Sequence, residues 1–237
     1  MSVTIRIIAL IALIAALIAA AAGLRTTVYT DGSYQAVSQA NDKGYTWAQV
    51  TLRRDKITAV ELKEFDGKAA EKDFATYPWA QARQANEVMP GRFVEKNTWD
   101  VDIVAEATSS SNKYREAVKF ALEKARRKAA VTTTHFDGTF LGRTVAGPRG
   151  YGLAWVTVQN DNITDVLLKE TDQTGEFKDF ATYAWAPARA AFEQMAERLK
   201  VAAPADVPNV DIVAGATTSS QQWKDSVHNA LTNARIR

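Results

Sequence analysis

The chain is written twice. Asp31-Gly32-Ser33-Tyr34 returns as Asp137-Gly138-Thr139-Phe140, 106 residues later. Val50-Thr51-Leu52 returns as Val156-Thr157-Val158, and Ile57–Glu64 as Ile163–Glu170. Lys72-Asp73-Phe74-Ala75-Thr76-Tyr77 is identical to Lys178-Asp179-Phe180-Ala181-Thr182-Tyr183, and Trp79 and Arg83 recur as Trp185 and Arg189. A period above 100 residues is too long for a solenoid repeat and marks a tandem of whole domains. The boundary falls near Ala130–Thr134. That divides the 237 residues into an N-terminal segment 1–26, a first domain 27–132 and a second domain 133–237. Each domain, of about 100 residues, is long enough to close its own core.

Within each copy the pattern is α+β. The Asp-Gly pair opens a short strand. Tyr45–Leu52 and Ile57–Glu64 flank the polar turn Arg53–Lys56, and Gly152–Val158 and Ile163–Glu170 flank Gln159–Asn162. These are hairpin signals. A helical middle segment follows, over Phe74–Val88 and Phe180–Leu199, with Pro78 and Pro187 in first turns or breaks. Lys72, Asp73, Lys178 and Asp179 read as its solvated start. Strands segregated from helices predict a small antiparallel sheet packed by helices in each copy.

A third shared block closes each copy. Val101-Asp102-Ile103-Val104-Ala105-Glu106-Ala107-Thr108-Ser109-Ser110-Ser111 matches Val210-Asp211-Ile212-Val213-Ala214-Gly215-Ala216-Thr217-Thr218-Ser219-Ser220 at an offset of 109. The apolar residues that follow, Tyr114, Val118, Ala121, Leu122 and Ala125, recur at identical spacing as Trp223, Val227, Ala230, Leu231 and Ala234. That is the period of an amphipathic helix. Ser and Thr before it are helix-capping types, and Thr218 with Gln221 fits a capping box. Each block therefore reads as strand, small-residue turn and helix N-terminus. Such a terminus, with free N–H groups and a positive dipole end, suits an anion and above all a phosphate.

Asp-x-x-x-Gly-Ala-Thr followed by Thr or Ser resembles the flavinylation motif of the extracytoplasmic FMN-binding domain family. Its relatives include a subunit of sodium-pumping quinone reductases and flavin-bearing proteins of extracellular electron transfer. The resemblance implies a small α+β fold and an FMN joined through its phosphate to the motif threonine by a flavin transferase. Carried over by position, that threonine is Thr217, with Asp211, Gly215, Ala216 and Thr218 around it. Ala214 stands where the family often has Ser or Thr. In the first copy Thr108, Asp102 and Ala107 match, and Glu106 replaces the glycine. The competing reading makes both blocks plain helix caps. Tyr77, Trp79, Tyr183 and Trp185 are candidates to pack a flat flavin ring, or else core aromatics shared by duplicated domains.

Ile7 to Leu24 is an unbroken run of 18 apolar residues between Arg6 and Arg25. As a helix it spans about 27 Å, close to the hydrocarbon thickness of a bilayer. It reads as a single-pass transmembrane anchor with the domains on the extracytoplasmic side. The small-residue run Ala20–Gly23 leaves a cleaved signal as the alternative.

Net charge is +2, and no basic run points to nucleic acid. Cysteine is absent, which excludes disulfides, cysteine-ligated clusters and a lipoprotein cysteine. His135 and His228 do not stand at metal-ligand spacing, so no metal is expected. No nucleophile triad or acid/base pair suggests a substrate-specific enzyme. The expectation is a membrane-associated electron carrier with covalent FMN, relaying electrons between a donor and an acceptor. The alternative is a cofactor-free extracytoplasmic binding or adhesion module.

Overall fold

A computed structural model describes residues 27–237. The apolar run at Ile7–Leu24 lies outside them. No helix among the described residues is long and apolar enough to cross a membrane.

The first copy builds strands β1 (Gly32–Val37), β2 (Tyr45–Arg53) and β3 (Lys56–Phe65), then helices α1 (Ala80–Lys96) and α2 (Thr108–Ala125). The second builds β4 (Gly138–Arg143), β5 (Gly152–Gln159) and β6 (Asn162–Glu170). Helix α3 (Ala186–Val201), a short 3-10 turn at Pro204–Asn209 and helix α4 (Thr217–Ala234) follow. Each copy is a three-stranded antiparallel sheet in sequence order, β1-β2-β3 and β4-β5-β6. The expected α+β tandem is what the chain forms.

Both hairpins turn on two residues with positive φ, Arg54 and Asp55 in the first and Asn160 and Asp161 in the second. That is the backbone twist a tight hairpin needs. Each sheet then shows alternation. In β2 the residues Thr46, Ala48, Val50 and Leu52 are buried, and the intervening ones are half-buried. The buried face receives the motif helix. Tyr114, Val118 and Ala121 of α2 are fully buried in the first core, and Trp223, Val227 and Ala230 of α4 in the second. Trp223 meets Phe180 and Phe192 edge-on, with ring centroids 5.2 and 5.4 Å away.

The two copies touch. Phe120 of α2 stacks on Phe136 with centroids 4.0 Å apart, and the Ala40 N–H donates to Thr139 O at 2.8 Å. Gln39 donates to the Glu116 carboxylate through its backbone N–H and its side-chain Nε2, each at 2.9 Å, and its side-chain Oε1 accepts the Thr139 N–H at 3.4 Å.

Three expectations need correction. The middle helices start later than their periodicity suggests, at Ala80 and Ala186. Asp73 and Asp179 instead close small turns, accepting the Ala75 and Ala181 N–H at 2.9 and 3.0 Å and the Thr76 and Thr182 hydroxyls at 2.9 and 2.8 Å. This side-chain turn competes with helix and leaves Phe74–Trp79 and Phe180–Trp185 as straps ahead of α1 and α3. Helix α1 then runs past Pro90 to Lys96, held by Phe93, which is fully buried.

The second correction concerns the motif strands. Neither Val101–Val104 nor Val210–Val213 joins a sheet. Their backbone polar groups are satisfied otherwise. Arg92 Nη1 donates to Asp102 O at 2.7 Å, and Arg198 Nη1 to Asp211 O at 2.8 Å. Val101 and Val104 are buried as apolar pegs rather than as ladder residues. The third is the capping box. Ala216 is the N-cap of α4 and Ala107 that of α2, neither with a side-chain cap, and Gln221 donates to Asp225 instead, at 2.8 Å.

Candidate functional site

The motif block of the second copy is a tight turn leading into a helix. Ala216 N–H donates to Val213 O at 3.2 Å, with Gly215 at φ +80° as the third turn residue. Positive φ at that place is what a type II turn demands, and glycine meets it without cost. The hydroxyl run divides by role. Ser220 is fully buried, and its Oγ accepts the Val213 N–H at 3.3 Å. Ser111 does the same for Val104 at 3.1 Å. Thr217 and Thr218 are exposed, as is Thr108. Ser220→Ala should destabilise the second domain by about 1–2 kcal/mol, because the Val213 donor loses its partner. Thermal unfolding then shifts down by roughly 4–8 °C per kcal/mol; an unchanged midpoint refutes this staple.

A cleft of about 550 Å³ opens at this helix end. Its walls are Gly215–Ser219, Ala188 of α3, Tyr183 and Trp185 of the strap, Arg149 of the β4–β5 loop, and Glu170 and Lys178. The volume lies in the ordinary range for small-molecule sites. Trp185 is 59% exposed, and its indole N–H donates to Gly215 O at 3.1 Å, tying strap to turn. Trp79 is 55% exposed in the first copy. Neither tryptophan is therefore a core aromatic. Tyr183 is half-buried, its carbonyl accepts from Arg189, and the Lys178 ammonium lies 5.6 Å from its ring centroid.

Lys178 is not part of a solvated helix start. Its side chain is 9% exposed and pairs with Glu170, which is 2% exposed. Lys72 and Glu64 repeat the pair at 3.1 Å in the first copy. A buried ion pair is costly to desolvate and is held only where its geometry is well satisfied. One oxygen of Glu170, Oε2, is buried without a partner. A larger cavity of about 820 Å³ shares Lys178 and runs under Phe177 and Phe180, but contains none of the motif residues.

The structure thus gathers Gly215, Ala216, Thr217 and Thr218 at one cleft. It leaves Asp211 outside. Asp211 and Asp102 are exposed, and they contribute their main-chain carbonyls to Arg198 and Arg92. Arg149 and the Glu170–Lys178 pair line the same cleft, which periodicity did not reveal. The recurrence of Glu64 and Lys72 at an offset of 106 was the available signal.

The first copy differs at its turn. Glu106 holds φ +61°, and its Oε2 accepts from Gln81 Nε2 at 2.8 Å. Gln81 stands where the second copy has Pro187. A Cβ on Gly215 would approach Pro187 Cβ to 3.3 Å. Nearby, Lys113 donates to Gly44 O at 2.6 Å and Asn41 Oδ1 at 2.8 Å. Burial lowers its pKa from the ordinary lysine value, against the attraction of Glu64.

A family model described as the FMN-binding domain matches residues 43–123 and again residues 150–232. The chain belongs to the FMN-binding domain family. Its two matches make it a tandem of FMN-binding domains, each match ending within the motif helix of its copy. No curated protein matches it. A crystal structure of a Clostridium perfringens protein is 26% identical, covering 41% of this chain and 88% of its own, with a TM-score of 0.36.

The residues of the second cleft fit FMN. The first-turn N–H groups of α4 lack a capping side chain, Arg149 brings positive charge, and the Lys178 ammonium, balanced by Glu170, adds a donor. Trp185 and Tyr183 offer aromatic faces. The free Glu170 oxygen is an acceptor for a donor group of the ligand.

Proposed function

We propose that the protein is a membrane-anchored extracytoplasmic flavoprotein that relays electrons, with FMN joined to Thr217. A flavin transferase supplies the group. The donor is a flavin dinucleotide: Thr217 Oγ takes the bond to the flavin-side phosphorus, the phosphoanhydride bond breaks and the nucleoside monophosphate leaves, and the hydroxyl proton passes to a base of the transferase. The observation that carries this reading is the shared cleft: an exposed threonine hydroxyl at an uncapped helix N-terminus, facing Arg149, Lys178 and Trp185. The helix N–H groups and the two cations hold the phosphate, while Trp185 and Tyr183 pack the ring. Gly215 lets the backbone pass close to the phosphate. Asp211 orients the loop through the carbonyl held by Arg198. Bound FMN supplies reversible uptake and release of electrons, and the fold sets its exposure and potential. A tether keeps the flavin from being lost outside the cell.

Peptide mass mapping of protein exported from cells that coexpress a flavin transferase tests the attachment. The peptide containing Thr217 should gain one FMN. A colourless protein with that peptide unmodified overturns the reading and favours a cofactor-free binding module. Alkaline carbonate tests the anchor. The full chain should stay in the membrane pellet, whereas release of a form beginning near Gly23 shows a cleaved signal.

A further inference from the structure

One end of the molecule gathers both domain entrances and the C-termini of both motif helices. Tyr29 pairs with Arg126 just past α2, and Thr30 N–H donates to Ala125 O at 2.9 Å. In the second copy His135 pairs with Arg235 just past α4, and Phe136 N–H donates to Ala234 O at 2.8 Å. Arg237 Nη2 joins the two ends by donating to Arg126 O at 3.3 Å.

This end is basic. Arg127, Lys128, Arg235 and Arg237 are exposed, and none pairs with an acidic side chain among the described residues. Its acidic groups are engaged by hydrogen bonds or an ion pair. Glu123 meets Arg126 at 3.6 Å, Asp55 accepts the Val28 and Tyr29 N–H groups, Asp161 those of Thr134 and His135, and Asp137, exposed at the rim of the cavity there, the Asn160 N–H at 2.8 Å. These carboxylates keep their charge but are held by neighbouring donors, so the four exposed cations, without ion-pair partners among the described residues, are the charges this end presents outward.

The same end is apolar at its centre. A cavity of about 440 Å³ is lined by Tyr29, Trp99, Phe120, Phe136 and Val131. Val131 is 39% exposed and Val28 48%. Aromatic rings beside exposed cations are the composition found at membrane–water interfaces. The 18-residue apolar run ends at Leu24, three residues before Thr27, and Arg127 Nε donates to Thr27 Oγ1 at 2.7 Å. The basic end is therefore the end nearest the anchor.

We infer that this end docks on anionic lipid headgroups, holding both motif threonines away from the bilayer. Thr108 and Thr217 open helices of 18 residues whose far ends form the docking face. At 1.5 Å per residue that places each about 27 Å from it. Orientation of the anchored chain rests on the proposed anchor; the lipid-binding face does not. The electron partners of the distal sites are then reached from the aqueous side.

The chain has no cysteine, so Val131→Cys gives a unique spin-label site on the docking face, and Asn112→Cys one near the opposite end of α2. The full-length labelled chain is mixed with vesicles of phosphatidylcholine alone, or with about a third phosphatidylglycerol. Flotation and accessibility to a water-soluble relaxation agent are read together. Flotation with both vesicle types is expected. The label at 131 should lose roughly fivefold in accessibility only with anionic lipid, and high salt should reverse the loss. The label at 112 should stay exposed throughout. Arg127, Lys128, Arg235 and Arg237 changed together to Gln should abolish the protection at 131. Flotation without protection at 131 overturns the docking face and leaves the anchor standing. Flotation with anionic vesicles alone, with protection at 131, supports the face and overturns the anchor. No flotation at all overturns both.

Discussion

Exported Thr217→Ala protein will carry no covalent flavin on its second domain, and it will remain folded. Thr217 is the first residue of α4 and is exposed, and its hydroxyl makes no hydrogen bond among the described residues. Alanine is a good helix former, so the stability change should stay within about 0.5 kcal/mol. The loss of flavin should nevertheless be complete, because the only atom that bonds the phosphate has gone. Intact mass of the coexpressed protein falls by one FMN, and the visible colour assigned to the second domain disappears. Thr217→Ser keeps a hydroxyl at the same helix position and should retain partial modification. Flavin persisting on the peptide around residue 217 in the alanine variant would place the linkage on a neighbour, Thr218 first. A variant that loses flavin only because it unfolds is recognised by its circular dichroism.

Much of this site is legible from residue order alone, because duplication supplies its own control. The hairpins fall where the polar turns Arg53–Lys56 and Gln159–Asn162 put them, since alternation and turn chemistry are local. The apolar positions of the motif helices face the core, as their spacing requires. What escapes the local rules is what depends on partners far along the chain. A β-branched run such as Val210–Val213 has strand composition, but no sheet edge receives it, and an arginine from α3 takes one of its carbonyls instead. Lys178 looks like surface in a polar stretch. Only folding brings Glu170 across from the end of β6 to bury it. Trp185 has the profile of a core residue, yet the strap carries it outward to the turn. Thr218 has the spacing of a cap, but the cap position lies two residues earlier, at Ala216. A missing cap costs a helix about 1 kcal/mol. Its recurrence in both copies, with Ala107 as the other bare cap, fits donors reserved for a bound anion.

Glu106→Gly should raise flavin occupancy at Thr108 and stabilise the first domain. Flavin attachment is expected at both threonines, and less completely at Thr108 than at Thr217. Glu106 occupies the left-handed region at φ +61°, where the second copy has Gly215 at +80°. A side chain there costs roughly 1–2 kcal/mol. Glycine removes that strain but gives back about 0.5–1 kcal/mol through its freer unfolded chain. The net gain is about 0.5–1 kcal/mol, visible as a small rise in the first domain's unfolding midpoint. The larger effect is on attachment. The Glu106 carboxylate sits two residues from the hydroxyl to be modified and repels the incoming phosphate, with water screening part of the repulsion. Its bond to Gln81 fixes it beside α1. The second copy has neither group, and Pro187 leaves only 3.3 Å for a Cβ at position 215. Gln81 with Glu106, and Pro187 with Gly215, are thus two solutions to the same contact, and only the second leaves the turn beside the threonine free of a carboxylate. Glu106→Gln separates the causes. It keeps the strain and removes the charge, so occupancy that rises with Gln as far as with Gly assigns the deficit to charge. Occupancy that rises only with Gly assigns it to the backbone. Should Thr108 stay equally poorly modified in both variants while Thr217 is full, the difference between the two domains lies elsewhere than at this turn.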